Sequence, residues 1–171
     1  MHVLFTLAIL CFVYFKGDWR DWQKYGLSMF YPAACDLLYN ILCQDKLLWS
    51  YHPDPHLFPR SHVAVDLLYT FLILPSVALM YLTNYPFGER AWRQCKYILL
   101  WVAGSLAVEY VFIAFGRLEL MNGYRFWMEA LFYPTMYLML RLHYTRPVLT
   151  YLISIFIIWF LMSVFEVPLP H

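Results

Sequence analysis

The segment Val63–Leu82, VAVDLLYTFLILPSVALMYL, decides the fold that this sequence predicts. It contains no Lys or Arg, and its 20 residues would rise about 30 Å as an α-helix, which is the thickness of the hydrocarbon core of a bilayer. One acid, Asp66, and one proline, Pro75, lie inside it. The segment therefore predicts a membrane-spanning helix that holds a carboxyl group.

Five more apolar segments surround this one, and each is near the length of a spanning helix. They are Val3–Phe15, Leu27–Cys43, Tyr97–Phe115, Phe126–Leu142 and Val148–Val164. The composition is 63% hydrophobic and only 13% charged, far from the soluble average. With no Pro/Gly/Ser-rich linker between segments, the sequence predicts an all-α, polytopic integral membrane protein. We expect one domain, residues 1–171, built as a bundle of six transmembrane helices.

The positive charges predict the orientation of this bundle. Eight fall in the connections after the first, third and fifth segments: Lys16, Arg20, Lys24, Arg90, Arg93, Lys96, Arg141 and Arg146. Four fall in the other connections: Lys46, Arg60, Arg117 and Arg125. Because cytoplasmic loops carry the excess of Lys and Arg, both termini are predicted to lie outside. A net charge of +1 offers no basic field for nucleic acid, which excludes it as a partner.

Four acids lie inside the predicted spans, namely Asp36, Asp66, Glu109 and Glu129. A carboxylate at the centre of a spanning helix costs about 2.5–3.5 kcal/mol, so such groups face a partner or a watery cavity. The predicted orientation puts none of the four in the cytoplasmic half of its span. The pattern predicts an outward-facing acidic cavity.

Helical spacing adds neighbours to two of these acids. Tyr39 and Asn40 lie three and four residues after Asp36, and Tyr69 lies three residues after Asp66. Residues at these spacings share one face of a helix. We therefore include Asp36, Tyr39, Asn40, Asp66 and Tyr69 in the predicted cavity or ligand site.

Local structural roles are the alternative for two of the acids. Arg125 lies one helical turn before Glu129 and could neutralise it as an ion pair, so Arg125 joins the predicted site. Asp66 lies near the start of its span, where carboxylates cap free N–H groups. Polar groups of this kind also pair neighbouring helices without further function.

The loop Tyr51-His-Pro-Asp-Pro-His56 predicts a second, weaker site. His52, Asp54 and His56 are residue types that bind zinc or a similar divalent ion. A polar surface loop is the alternative, since the prolines disfavour a helix that would align the two imidazoles. No specific motif in the chain implies a cofactor, because Walker, G-x-G-x-x-G, G-x-S-x-G and H-E-x-x-H patterns are all absent.

Three strings carry a family resemblance: W-R-x-W-x-K-Y at 19–25, D-L-L-Y-N at 36–40 and L-R-L-H-Y at 140–144. In these strings the chain resembles a family of small multi-pass membrane proteins of spore-forming Bacillus and Clostridium relatives. The resemblance implies a location in the bacterial cytoplasmic membrane. It carries no activity with it.

Three functions fit these patterns. The leading hypothesis is a protein that binds or transports a proton, a metal or another small cation through the acidic cavity. The first alternative is a membrane-embedded enzyme at the outer interface, where acids and histidines would converge. The second is an accessory or scaffold subunit whose polar groups specify helix pairing. The expected partners are the lipid bilayer, a small cation, and a second copy or another membrane protein.

Overall fold

The computed structural model describes residues 1–53 and 61–168. These residues are mostly helical, which confirms the predicted helical character of the chain. The described α-helices are α1 (His2–Lys16), α2 (Gly26–Leu42), α3 (His62–Leu68), α4 (Leu74–Thr83), α5 (Ala91–Ala114), α6 (Phe126–Thr145) and α7 (Pro147–Val164). A 3-10 helix, Trp19–Lys24, connects α1 with α2.

The deciding segment forms one continuous helix with an irregular middle. A π-helical stretch, Tyr69–Ile73, joins α3 to α4, so that the helix runs over His62–Thr83. Pro75 lies directly after this stretch, within the first two residues of α4. Proline offers no N–H to the preceding turn, which is consistent with the departure from α-helical pairing there.

Two short strands form a β ladder that the all-α prediction missed. Strand β1 (Trp49–Tyr51) pairs antiparallel with β2 (Leu118–Leu120), with Ser50 opposite Glu119. The ladder joins the segment after α2 to the segment after α5. Each strand has three residues, which is too short for the period-two pattern that identifies strands in a sequence.

One end of the bundle gathers around this ladder. The His2 ring nitrogen Nε2 lies 3.1 Å from the His52 carbonyl oxygen, which brings the start of α1 to β1. Lys46, after α2, donates from Nζ to the Phe165 carbonyl at 2.6 Å, just after α7. The ends of α2, α5 and α7 and the beginning of α1 therefore meet here, at what we call the ladder end.

The opposite end joins the remaining helix termini. Asn84, after α4, donates from Nδ2 to the Lys16 carbonyl at 3.2 Å, and Ser28 Oγ lies 2.9 Å from Nδ1 of His143 in α6. The helices consequently alternate in direction along the chain. The basic residues of this end are those predicted to be cytoplasmic, and we call it the basic end.

The tightest core packing lies toward the basic end. Tyr81 and Tyr137 are almost completely buried, and the Tyr81 hydroxyl donates to the Tyr137 carbonyl at 3.1 Å. The Tyr97 hydroxyl donates to the Tyr81 carbonyl at 2.9 Å. The hydroxyl groups of Tyr81 and Tyr97 thus each have an acceptor, which offsets the cost of burying them.

Three helices among the described residues are long and apolar enough to cross a membrane: His62–Thr83, Ala91–Ala114 and Pro147–Val164. The other predicted spans coincide with helices α1, α2 and α6, which do not meet both requirements. Helix α7 is apolar along its length yet mostly exposed, with Phe156 at 72% of its free surface. The number of passes stays a prediction.

Gly17 ends α1 where there is no room for a side chain. A Cβ atom at this position would lie 2.9 Å from the Val13 carbonyl oxygen and 3.1 Å from Val13 Cγ1. We expect Gly17→Ala to lower the melting temperature of the detergent-solubilised protein, by the equivalent of about 1–3 kcal/mol of overpacking. Gly88→Ala is the control, because nothing lies within 4 Å of its added Cβ. Equal melting temperatures for the two variants would contradict this packing.

Candidate functional site: two buried acid pairs at a central cavity

A cavity of about 1070 Å³ lies between the helices. Its wall is mostly apolar and aromatic and comes chiefly from α2, α4, α5, α6, α7 and β1. Asp36, Glu109 and Glu129 are the acids in this wall. Apolar pockets with a few converging polar groups are the usual form of a small-molecule site.

Glu109 of α5 and Glu129 of α6 form the first acid pair. Their side chains are only 6% and 5% exposed, and their carboxyl groups lie close enough for strong electrostatic interaction. Two buried carboxyls at one site cannot both be ionised, because like charges repel strongly at low dielectric. Their proximity is favourable when at least one of them keeps its proton, which leaves at most one negative charge.

One oxygen of this pair and one neighbouring hydroxyl have no hydrogen-bond partner in the described part of the chain. They are Glu109 Oε2 and the Tyr124 hydroxyl, both buried. Burial and then the Glu129 carboxyl raise the pKa of Tyr124, so its hydroxyl stays protonated and able to donate. Unpaired buried polar atoms in a cavity wall are costly unless something occupies the cavity.

Asp36 and Asp66 form the second acid pair, between α2 and the irregular helix. Asn40 of α2 donates from Nδ2 to Asp66 Oδ2 at 2.7 Å. The Thr70 hydroxyl contacts Asp36 Oδ2 and lies 3.0 Å from the Asp66 carbonyl oxygen. Asp66 and Asn40 lie behind Asp36, outside the cavity wall. The π-helical stretch therefore brings the Thr70 hydroxyl to the Asp36 carboxyl group.

Tyr51 of the β ladder lies between the two pairs. Its ring stacks on Tyr69 with centroids 4.5 Å apart, and it lies within electrostatic reach of Asp36, Asp66 and Glu109. The four acids that the sequence singled out thus lie in one region, at the ladder end, but as two separate pairs.

An aromatic wall covers the cavity on the side of Glu129. Tyr39 and Trp49 stack face to face with centroids 3.7 Å apart, and Trp49 lies 5.8 Å from Tyr124 and 6.3 Å from Phe132. All of these residues line the cavity. Aromatic faces attract cations, most strongly when the cation is desolvated.

In the described part of the chain, these four acids form no ion pair with a Lys or Arg. Among residues 1–53 and 61–168, no Lys or Arg nitrogen lies within 4.0 Å of a carboxylate oxygen of the four acids. Arg125 is exposed and makes no ion pair with Glu129, so the predicted pairing is wrong. Arg125 and Glu129 would share one face if both lay in a helix. Arg125 is instead the residue before α6, and its backbone is extended.

Asp66 does not cap its helix either. Ser61 is the N-cap, and its side chain accepts from the Ala64 N–H at 3.2 Å. Asp66 is the fifth residue of α3, beyond the free N–H groups of the first turn, since the Val65 N–H already donates to the Ser61 carbonyl. The capping role expected for Asp66 is therefore wrong, and its carboxyl group belongs to the interior.

The predicted histidine site is described only in part. Asp54 and His56 lie outside the described residues, and His52 contacts Glu119 with 2.9 Å between Nε2 and Oε2. This contact is exposed. The described part of the chain holds no group of three or more His, Cys, Asp or Glu side chains that could bind a metal ion.

Sequence reasoning missed Tyr124, Tyr133 and Trp49 as parts of the site. Tyr133 lies beside Glu109 and follows Glu129 by one helical turn, which is a spacing that could have identified it. Trp49 and Tyr124 lie in connections between the predicted spans. Their place in the cavity wall depends on the β ladder, for which the sequence carries no clear signal.

Comparison of the chain with protein-family models, with curated proteins and with solved structures finds no match.

Tyr39 connects the cavity to the ladder through its hydroxyl group. This oxygen accepts from the backbone N–H of Leu48 at 2.8 Å and of Trp49 at 3.2 Å. Tyr39→Phe leaves both donors without an acceptor, so we expect a loss of about 2 kcal/mol in unfolding free energy, measured in detergent. Tyr14→Phe is the control, since Tyr14 is 62% exposed. A Tyr39→Phe variant as stable as the control would contradict the assignment.

Proposed function

We propose that this chain is a multi-pass membrane protein that binds a cation with an apolar body in its central cavity. The acid pair Glu109–Glu129 supplies the negative charge, and the aromatic wall contacts the body of the cation. The proximity of two buried carboxyls, with no ion pair to a Lys or Arg of the described residues, carries this proposal.

The exposed surface supports membrane insertion. Large apolar side chains are exposed along α7, including Phe156, Trp159 and Phe160. Monomeric soluble proteins rarely expose such a continuous apolar surface, whereas lipid tails contact it at no cost. Three helices are long and apolar enough to span, and the helices of the bundle alternate in direction along the chain, which fits successive passes.

Six passes are consistent with the remaining helices. Helix α6 has 20 residues, long enough for a bilayer, but Glu129 and Arg141 make it less apolar. Helices α1 and α2 have 15 and 17 residues, so their rise is about 22–26 Å. Local thinning of the bilayer or snorkelling of flanking residues accommodates such a mismatch.

The orientation follows from the two ends of the bundle. The basic end would face the cytoplasm, and the ladder end, with both termini, would face outward. Because the chain resembles multi-pass proteins of spore-forming bacteria, we propose the bacterial cytoplasmic membrane as its location. The cavity acids then lie toward the outer face, where an incoming cation first meets negative charge.

The chemistry of the cavity selects the kind of cation. A metal ion that loses its water needs several oxygen ligands from the protein, whereas this wall is mostly apolar and aromatic. An organic cation instead buries apolar surface at the wall and places its charge over aromatic faces and beside the carboxyls. The singly ionised pair and a monovalent cation together are neutral, which suits a low-dielectric interior.

Cysteine labelling tests the orientation. In a variant with the native cysteines replaced, we expect Asp45→Cys at the ladder end to react with a membrane-impermeant maleimide on intact cells. Gly88→Cys at the basic end should react only after permeabilisation. Both positions are exposed. Labelling of both on intact cells, or of Gly88→Cys alone, would contradict the proposed orientation.

Two probes of equal shape and opposite charge test the ligand class. We expect the full-length protein to bind tetraphenylphosphonium about ten- to a hundredfold more tightly than tetraphenylborate, because interactions with a buried charge contribute about 1.5–3 kcal/mol. Equilibrium dialysis with radiolabelled probes measures both affinities. The double variant Glu109→Gln/Glu129→Gln should lose the preference.

Glu119→Gln is the matched control for this experiment, because Glu119 lies at the ladder end but is exposed. Its preference for the cation should equal that of the wild type. A wild type without charge preference, or a double variant that retains it, would contradict the proposed function and favour an accessory role.

A further inference from the structure

The pair Asp36–Asp66 has features that the proposed binding in the cavity does not use. Asp66 is 6% exposed and lies outside the cavity wall, so a ligand of the cavity does not reach it. Asp66 Oδ1 is buried and has no hydrogen-bond partner among the described residues. An unpaired carboxylate oxygen in the interior is expensive unless a proton or a cation occupies the space beside it.

The hydrogen bonds around Thr70 restrict where protons lie. Its hydroxyl has one hydrogen, yet it faces two acceptors, the Asp66 carbonyl oxygen and Asp36 Oδ2. Both contacts are satisfied when Thr70 donates to the carbonyl and a protonated Asp36 donates to Thr70. Asp66 then carries the negative charge of the pair, stabilised by the Asn40 amide.

We propose that Asp36, Asn40, Asp66 and Thr70 form a binding site for a monovalent metal cation, with Na⁺ as its ligand. Oxygen atoms are the preferred ligands of hard cations, and the site offers the carboxyl oxygens of two acids and the Thr70 hydroxyl, while the Asn40 amide donates to Asp66. One ionised carboxylate and one monovalent cation balance in charge. A divalent ion would require both carboxylates and further ligands, and the described residues here hold only two acids.

The irregular helix supports the same site. Thr70 reaches the Asp36 carboxyl group from the π-helical stretch Tyr69–Ile73, and Pro75 lies two residues after this stretch. π-Bulges occur frequently at functional sites, and broken spanning helices are a recurring way to bind Na⁺ or H⁺ near the middle of a membrane. Because Asp36 also faces the cavity, a cation at this site would lie beside the space where the larger ligand binds.

The melting temperature of the full-length protein in detergent tests this site. At constant ionic strength, with choline chloride replaced by NaCl, ligand linkage predicts a melting temperature that rises with Na⁺ concentration. We expect Asp66→Asn to lower the apparent Na⁺ affinity by at least about tenfold, and Asp45→Asn, an exposed acid at the same end, to leave it unchanged.

Thr70 provides a second pair of variants in case Asp66→Asn does not fold. Thr70→Val removes the hydroxyl at nearly equal volume and should abolish the Na⁺ response, whereas Thr70→Ser keeps the hydroxyl and should retain it. The Glu109→Gln/Glu129→Gln variant should also retain it, which separates this site from the cavity. An absent Na⁺ response in the wild type, or an equal response in Thr70→Val and Thr70→Ser, would overturn the assignment.

Discussion

Carboxyl groups buried without a Lys or Arg partner among residues 1–53 and 61–168 are the constraint on which the rest of this structure depends. Each lone carboxylate in a low-dielectric interior is unfavourable by several kcal/mol, so the acids are stable only in pairs with protons, hydroxyls and amides around them. The pairing brings α2 to the irregular helix through Asp36 and Asp66, and α5 to α6 through Glu109 and Glu129. Helix packing and the candidate sites therefore have one physical origin.

The β ladder connects the two acid pairs. By joining the segments after α2 and α5, it places Tyr51 within reach of both pairs and Trp49 against Tyr39. When two sites share a residue, binding at one site can change the affinity of the other. The ladder is short, and its contacts with the His2 and Arg117 segments hold it at the ends of the helices.

The sequence predicted the helices well and their contacts poorly. The apolar segments predicted the helix bounds within a few residues, with one exception. Helix α5 begins at Ala91, six residues before the predicted Tyr97. Its first turns are polar, so hydropathy alone does not assign them to the span. Partners across helices are different, since spacing along one helix says nothing about its neighbours. Arg125 therefore seemed a partner for Glu129, while its close neighbour, Glu109, lies on another helix.

Infrared spectroscopy of the full-length protein tests the central claim, that the buried acids are held by shared protons and not by basic residues. At neutral pH the account predicts a carbonyl band of protonated carboxyl groups that shifts when H₂O is exchanged for D₂O. The band should weaken in Glu109→Gln/Glu129→Gln and persist in Glu119→Gln. A wild-type spectrum without this band would show that all carboxyls are ionised, and would contradict the account.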